Sequence, residues 1–276
     1  MKRRDFLRTV GVLAAGAATA PRYLQDVARV TLRRSAELEG NDKLPQRTIG
    51  LRSLGGDFRF DPAGLRIERG GRVVWLNMGD FHTTSAFHPD NSRLLEGDVP
   101  LRIPRGAKPW HSGMLGLDAG TEFEHTFEIE GVYDYFCQPH YGFGMVGRII
   151  VTGPNVGPIV GRPLSELNEP SRKAMPEVEE IMGPGGRTFE WMARINGLLL
   201  LRAHDEPLES AVSAVSTAID EDEELGTLLA EARVESEFHD RLDSLASAAT
   251  GTGDYESLLS RADAVKEVLH RARSPR

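Results

Sequence analysis

Hydrophobic patterning divides the chain into three regimes. A short apolar run occupies Thr9 to Ala20, short β-like runs fill residues 57–152, and apolar positions recur at helical spacing from Phe189 onward. In the middle regime Leu65 and Ile67 alternate with Arg66 and Glu68, and Gly70-Gly71 turns the chain. Arg72 to Asn77 (Arg-Val-Val-Trp-Leu-Asn) is strongly β-prone. Phe123 to Ile129 places Phe, His and Phe on one face, Gly131 sets off Val132 to Cys137, and Arg148 to Thr152 closes the series. Short strands with turn signals between them predict a β-sandwich or barrel over residues 51–152.

Beyond residue 152 the pattern changes twice. Residues 153–187 hold Pro154, Pro158, Pro163, Pro170, Pro176 and Pro184 and read as a Pro/Gly-rich linker. Residues 188–276 then repeat apolar positions every three to four residues, as in Leu208, Ala211, Val212, Val215 and Ile219, or Leu258, Leu259, Ala262, Val265 and Leu269. That spacing predicts amphipathic helices and a helical C-terminal region separate from the sandwich. Its Leu198–Leu201 run is too short to span a bilayer. Glu221 to Glu224 reads as a solvated acidic face, and His204, His239 and His270 are expected at the surface.

The opening segment reads as an address. Arg3-Arg4 followed by Phe6-Leu7 and the apolar run resembles a twin-arginine signal over residues 1–20, which exports folded proteins. The competing reading is a short basic amphipathic helix. Ala18-Thr19-Ala20 has the small-x-small form of a cleavage site, but Pro21 disfavours the cut, so the segment can instead stay as a membrane anchor. Residues 21–50 are polar and basic and read as a tether. The expected location is the periplasm or the outer face of the cytoplasmic membrane.

The 276 residues fit two domains, and the formal net charge of −8 argues against nucleic acid as a partner. The charge is graded. Residues 1–50 carry 10 Lys/Arg against 5 Asp/Glu, whereas residues 153–276 carry 13 against 23.

Chemistry concentrates around the single cysteine. Cys137-Gln138-Pro139-His140-Tyr141-Gly142-Phe143-Gly144-Met145 places a thiolate, an imidazole and a thioether within nine residues, between two predicted strands. One more imidazole would complete a His₂Cys site with a weak axial Met, the blue-copper arrangement. His82, in the loop after the strand ending at Asn77, is the chosen remote ligand. Its rivals are His88 and His111, in loop-like sequence beside Pro89 and Trp110, and His125, mid-strand between two phenylalanines. Cys137 could instead be a small buried hydrophobe and Met145 core filler, but their spacing around His140 favours ligation. Thr83, Gln138 and Asn77 are candidates to orient the ligands. Trp75 reads as core, and Tyr141 and Phe143 are placed near the solvent edge of His140.

Gly131-Val132-Tyr133-Asp134-Tyr135-Phe136-Cys137, continuing to Met145-Val146-Gly147-Arg148-Ile149-Ile150-Val151, resembles the C-terminal signature of plastocyanins and halocyanins in the cupredoxin family. Val74-Trp75-Leu76-Asn77 to His82-Thr83 resembles the first-histidine motif. The resemblance covers about residues 55–152. It implies a Greek-key β-sandwich and one type 1 copper ion held by His82, Cys137, His140 and Met145. It also implies single-electron transfer to a redox partner, expected to be a membrane respiratory complex or a soluble carrier. The insert from Thr84 to Gly120 exceeds what a compact plastocyanin needs and is expected to cover the site or to dock a partner. The alternatives are copper binding without electron transfer, as a carrier or sensor, and a copper enzyme, which would need further His clusters.

Overall fold

The computed structural model describes residues 44–116, 119–154, 159–251 and 254–273. The signal segment and most of the expected tether lie outside these residues. The tether's last residues do not: Thr48, Ile49 and Gly50 already belong to the first strand.

Among the described residues, eight strands form two four-stranded sheets. The strands are β1 (Thr48–Leu54), β2 (Asp57–Asp61), β3 (Gly64–Glu68), β4 (Arg72–Asn77), β5 (Ser85–Ala86), β6 (Glu122–Thr126), β7 (Gly131–Phe136) and β8 (Val146–Thr152). One sheet has the order β2-β1-β4-β6 and the other β3-β8-β7-β5. Both are mixed: β1 pairs parallel to β4, and β3 parallel to β8. Ile49, Leu51, Leu65, Ile67, Val73, Trp75, Tyr135, Ile149 and Val151 bury the faces between the sheets. Around Trp75 the core is aromatic, with Trp110, Phe127 and Tyr135 at centroid distances of 5.6, 6.3 and 5.5 Å.

Seven helices follow among the described residues: α1 (Glu169–Ala174), α2 (Val178–Met182), α3 (Gly186–Ala203), α4 (Glu209–Asp220), α5 (Glu223–Glu231), α6 (Glu235–Thr250) and α7 (Tyr255–Arg273). The first two lie in the stretch expected as a linker. The helical region follows the sandwich as anticipated, but it is not separate from it. Val74 and Leu76, on the outward face of β4, and Ile150 of β8 belong to the same apolar core as Phe189, Ile195 and Leu199 of α3. Ala193 of α3 enters the core between the sheets. This explains why β4 is buried from Val73 to Asn77 without alternation. A strand covered on both faces needs apolar residues at consecutive positions.

Buried charges tie the two parts together. Lys266 of α7 is 2% exposed, and its Nζ reaches Asp61 Oδ2 of β2 at 2.6 Å and Asn196 Oδ1 of α3 at 2.9 Å. Asn196 Nδ2 in turn donates to the Asp61 carbonyl at 2.6 Å. Glu190 of α3 sits between Arg47 and Arg194, both at 2.9 Å. Burial would raise the Glu190 carboxyl, but the two guanidiniums outweigh it and hold it at about 2.

Candidate metal centre

The site forms where the β4–β5 connection meets the β7–β8 connection. Two consecutive left-handed residues, Gly79 (φ 116°) and Asp80 (φ 73°), turn the chain after β4 toward His82. Asn77 is fully buried and organises this turn. Its Oδ1 accepts from the Gly79 N–H at 3.2 Å, and its Nδ2 donates to the carbonyls of Asp80, at 3.1 Å, and of Gly116. His82 exchanges both backbone hydrogen bonds with Leu115, at 3.3 and 2.9 Å. The long insert therefore folds back over the ligand loop, and Trp110 inside it donates to Thr84 Oγ1 at 3.1 Å.

The second loop leaves β7 at Phe136 and enters β8 at Val146. The Cys137 N–H donates to the Met145 carbonyl at 3.0 Å, and the Met145 N–H to the His140 carbonyl at 3.2 Å. Tyr141–Phe143 forms one 3₁₀ turn, ended by Gly144 at φ 89°. Thr83 clasps the two loops. Its N–H points at Cys137 Sγ at 3.4 Å, and its Oγ1 accepts the Gln138 N–H at 2.7 Å.

These loops bring three donors together. His82 Nδ1 lies 3.7 Å from Cys137 Sγ, His140 Nδ1 lies 3.6 Å from it, and the two Nδ1 atoms are 3.2 Å apart. His82 and Cys137 are fully buried, and His140 is 9% exposed. Donors bound at roughly 2.0–2.3 Å to a common centre stand about 3.2–3.8 Å apart at trigonal to tetrahedral angles, so the three atoms match one soft ion. Two imidazole lone pairs and a sulfur this close have no mutual donor once the thiol ionises. A cation between them resolves that crowding.

The electrostatics agree. Burial, then the neighbouring His140, pulls His82 down to about 4, and burial also lowers His140. Both imidazoles are thus neutral near pH 7, with lone pairs free to bind. Burial pushes the Cys137 thiol up to about 11 against the N–H groups of Thr83 and His140. A thiolate at this position requires a bound cation.

The rival histidines stand outside the cluster. His88 Nδ1 accepts from the Asp90 N–H at 3.1 Å and caps a 3₁₀ turn. His111 Nδ1 meets Ser85 Oγ at 2.8 Å. His125 stacks on Trp110, with centroids 4.8 Å apart. Among the described residues, His82, Cys137 and His140 form the cluster able to hold a metal ion. Met145 is fully buried in the same core as Cys137, and its backbone is bonded to both Cys137 and His140.

Of the two aromatic residues expected beside His140, Phe143 is there, 6.5 Å from the ring and 67% exposed. Tyr141 instead turns inward against Phe87 and Phe136. Two neighbours escaped the sequence reading. Phe58 stacks on His140 at 3.9 Å and 9°. Ser53 Oγ lies 3.2 Å from His82 Nε2, on the ring edge opposite the Nδ1 that faces Cys137 Sγ. The alternation of β2 marks Phe58 as a strand residue, but nothing local shows what lies across from it.

His125 carries a pH prediction. Burial, then Lys108, lowers it to about 4 from the ordinary 6.5. The unfolded chain therefore binds the extra proton first as pH falls. Stability held above pH 6.5 is expected to drain away between pH 6.5 and 4. His125→Phe should give a flatter curve than wild type in thermal melts across that window; parallel curves would contradict the assignment.

A β-sandwich with a buried Cys/His/His cluster where two of its loops meet defines a protein that holds one soft metal ion. Comparison with known proteins agrees. A family model described as copper binding proteins of the plastocyanin/azurin family matches residues 48–152. Plastocyanin of Scenedesmus fuscus is 33% identical over 104 residues, 38% of this chain and 97% of that protein. Chloroplastic plastocyanin of Tetradesmus obliquus is 35% identical over 103 residues, 37% of this chain and 65% of that protein. Halocyanin of Natronomonas pharaonis is 34% identical over 95 residues, 34% and 48% of the two chains. This chain thus spans less than two thirds of the last two relatives. A solved structure of a purple cupredoxin from Nitrosopumilus maritimus aligns with 39% of this chain and all of its own, at 25% identity and a TM-score of 0.28. The chain belongs to the plastocyanin/azurin family of copper-binding proteins. The family binds one copper ion, and the His82/Cys137/His140 cluster is consistent with a type 1 site.

Proposed function

We propose that this protein is an exported single-electron carrier whose copper is held by His82, Cys137 and His140, with Met145 as the weak axial donor. The supporting observation is the buried triangle of Nδ1, Nδ1 and Sγ with 3.2–3.7 Å edges. Copper, when bound, supplies a reversible one-electron couple. The chain's own residues do the rest. Thr83 and Asn77 hold the loops so that the donors need not move between oxidation states. Phe58 pins the His140 ring against one face.

Exposed Phe143, Phe81 and Met114 belong to the two ligand loops and to the insert that pairs with His82. Phe143, 6.5 Å from the His140 ring, is the exposed apolar side chain against which a partner would shed water as it approaches that edge. The partner is read as a membrane respiratory complex or a soluble carrier on the outer side of the membrane.

Copper(II) added to the purified protein is expected to give an intense blue band and a fast, reversible voltammetric couple. A colourless adduct would refute the ligand set, and sluggish cycling would favour storage or sensing. Met145→Leu is expected to keep the band and raise the reduction potential, because a donor that favours the oxidised state is lost. A lower potential would exclude Met145 from the set.

A further inference from the structure

The segment just beyond the sandwich reaches back onto the ligand loop. The Tyr141 carbonyl, one residue after His140, accepts the Gly144 N–H at 3.0 Å inside its own turn. It also receives Asn168 Nδ2 at 3.2 Å and Ser171 Oγ at 3.3 Å from the start of α1. Asn168 therefore works at both ends. Its Oδ1 caps α1 by accepting the Ser171 N–H at 2.8 Å, which fixes the amide orientation and leaves Nδ2 to donate to the loop. Ser171 is fully buried. Beside it, the Pro170 carbonyl closes on Gly144 so tightly that a Cβ there would sit 2.8 Å from its oxygen.

The same segment is anchored on both sides. The Arg102 guanidinium donates to the carbonyls of Pro163 and Arg162 at 2.9 and 3.1 Å, and Arg148 Nη1 donates to the Pro176 carbonyl at 2.8 Å. Leu167 and Met175 pack with Phe136 and Val146, the residues that bracket the ligand loop. The segment is thus pinned at its ends and pressed on the loop at its middle.

We infer that residues 162–176 are a clamp that positions the metal-ligand loop, with Asn168 and Ser171 as the positioning residues. The inference rests on the proposal that this loop holds the metal. A hydrogen-bonded, sterically backed Tyr141 carbonyl restrains residues 141–144 and, through them, the swing of His140. Holding outer partners in place is how a protein fixes ligand geometry and tunes the bound ion.

The test uses the full chain carrying Asn168→Asp, with and without Ser171→Ala. Aspartate keeps an acceptor for the Ser171 N–H, so the α1 cap survives while the donor to Tyr141 is lost. In the metal-free protein, amide exchange at Phe143, Gly144 and Met145 is expected to speed up about five- to tenfold, with the sheet amides unchanged. In the copper-loaded protein, chelator-driven copper release should accelerate and the reduction potential should shift. Unchanged loop exchange and unchanged potential in a folded variant would overturn the clamp. So would a uniform rise in exchange across the whole chain, which would show a purely structural role. A colourless wild type would count against the copper reading alone, because loop exchange is read without metal.

Discussion

Cys137→Ser is expected to remove the blue colour completely and to weaken copper binding by more than about a hundredfold, the upper end for losing a mere outer-shell partner. The sulfur is the shared vertex of the donor triangle, 3.6 and 3.7 Å from the two imidazole nitrogens. A serine hydroxyl is a hard, neutral donor that stays protonated at pH 7, so both the charge and the softness that select copper disappear. The Thr83 N–H would turn from sulfur to a smaller oxygen, a minor change in a fully buried position. The fold should therefore survive, with a melting temperature close to that of metal-free wild type. Titration by absorbance and by a competing chelator, beside thermal melts, separates the two effects. A blue, tightly bound adduct from the serine variant would remove Cys137 from the site.

Cys137 and His140 of the cluster could be read from the sequence because one loop carries both, and a loop between two strands keeps its residues close whatever the wider fold does; Met145, on the same loop, is proposed as the axial donor. His82 was legible for a different reason. It follows a strand with an unmistakable β signal, and Thr83 beside it supplies the donor and acceptor that lock two loops together. The contacts that escaped are those between residues whose nearness is set by packing alone. Ser53 on His82 and Phe58 on His140 come from an upstream hairpin, 29 residues before His82 in the one case and 82 residues before His140 in the other. No periodicity encodes that meeting.

The helices were legible as helices, since their apolar stripes recur at the α period. Their attachment to the sandwich was not read, although one clue was present. Val73-Val74-Trp75-Leu76 is apolar at four consecutive positions, twice what a strand with one wet face requires. Val74 and Leu76 were waiting for a second layer, and α3 provides it. The linker reading of residues 153–187 followed proline content. Proline at the first turn of a helix is favoured, and Pro170 occupies that place in α1. The prolines there mark helix starts and turns as much as loose chain.

Asp134→Asn is expected to be the most damaging single change outside the metal ligands. Asp134 lies three residues before Cys137 on β7 and is fully buried. Its Oδ1 takes Arg148 Nε at 2.7 Å, and its Oδ2 takes Arg102 Nη2 at 2.8 Å. Both guanidiniums are at most 1% exposed. The carboxylate thus holds the insert (Arg102), β8 (Arg148) and β7 in one knot. The same arginines grip the carbonyls of Arg162, Pro163 and Pro176, so the knot also fastens the clamp segment. Asparagine removes the charge that both buried guanidiniums face, and Glu166, which is 28% exposed, meets Arg102 while also paired with Arg162. Stranding buried charge in this way costs about 3–5 kcal/mol. For a chain of this size that lowers the melting temperature by roughly 10 °C. Because Arg148 and Asp134 lie on the strands that carry the ligand loop, the copper-loaded variant should also release metal faster than wild type at temperatures well below its melt. Urea unfolding and chelator-driven release measure the two consequences. A loss below about 1 kcal/mol, the scale of an exposed pair, would mean that the knot is solvated in solution and does not hold the sandwich to its extension.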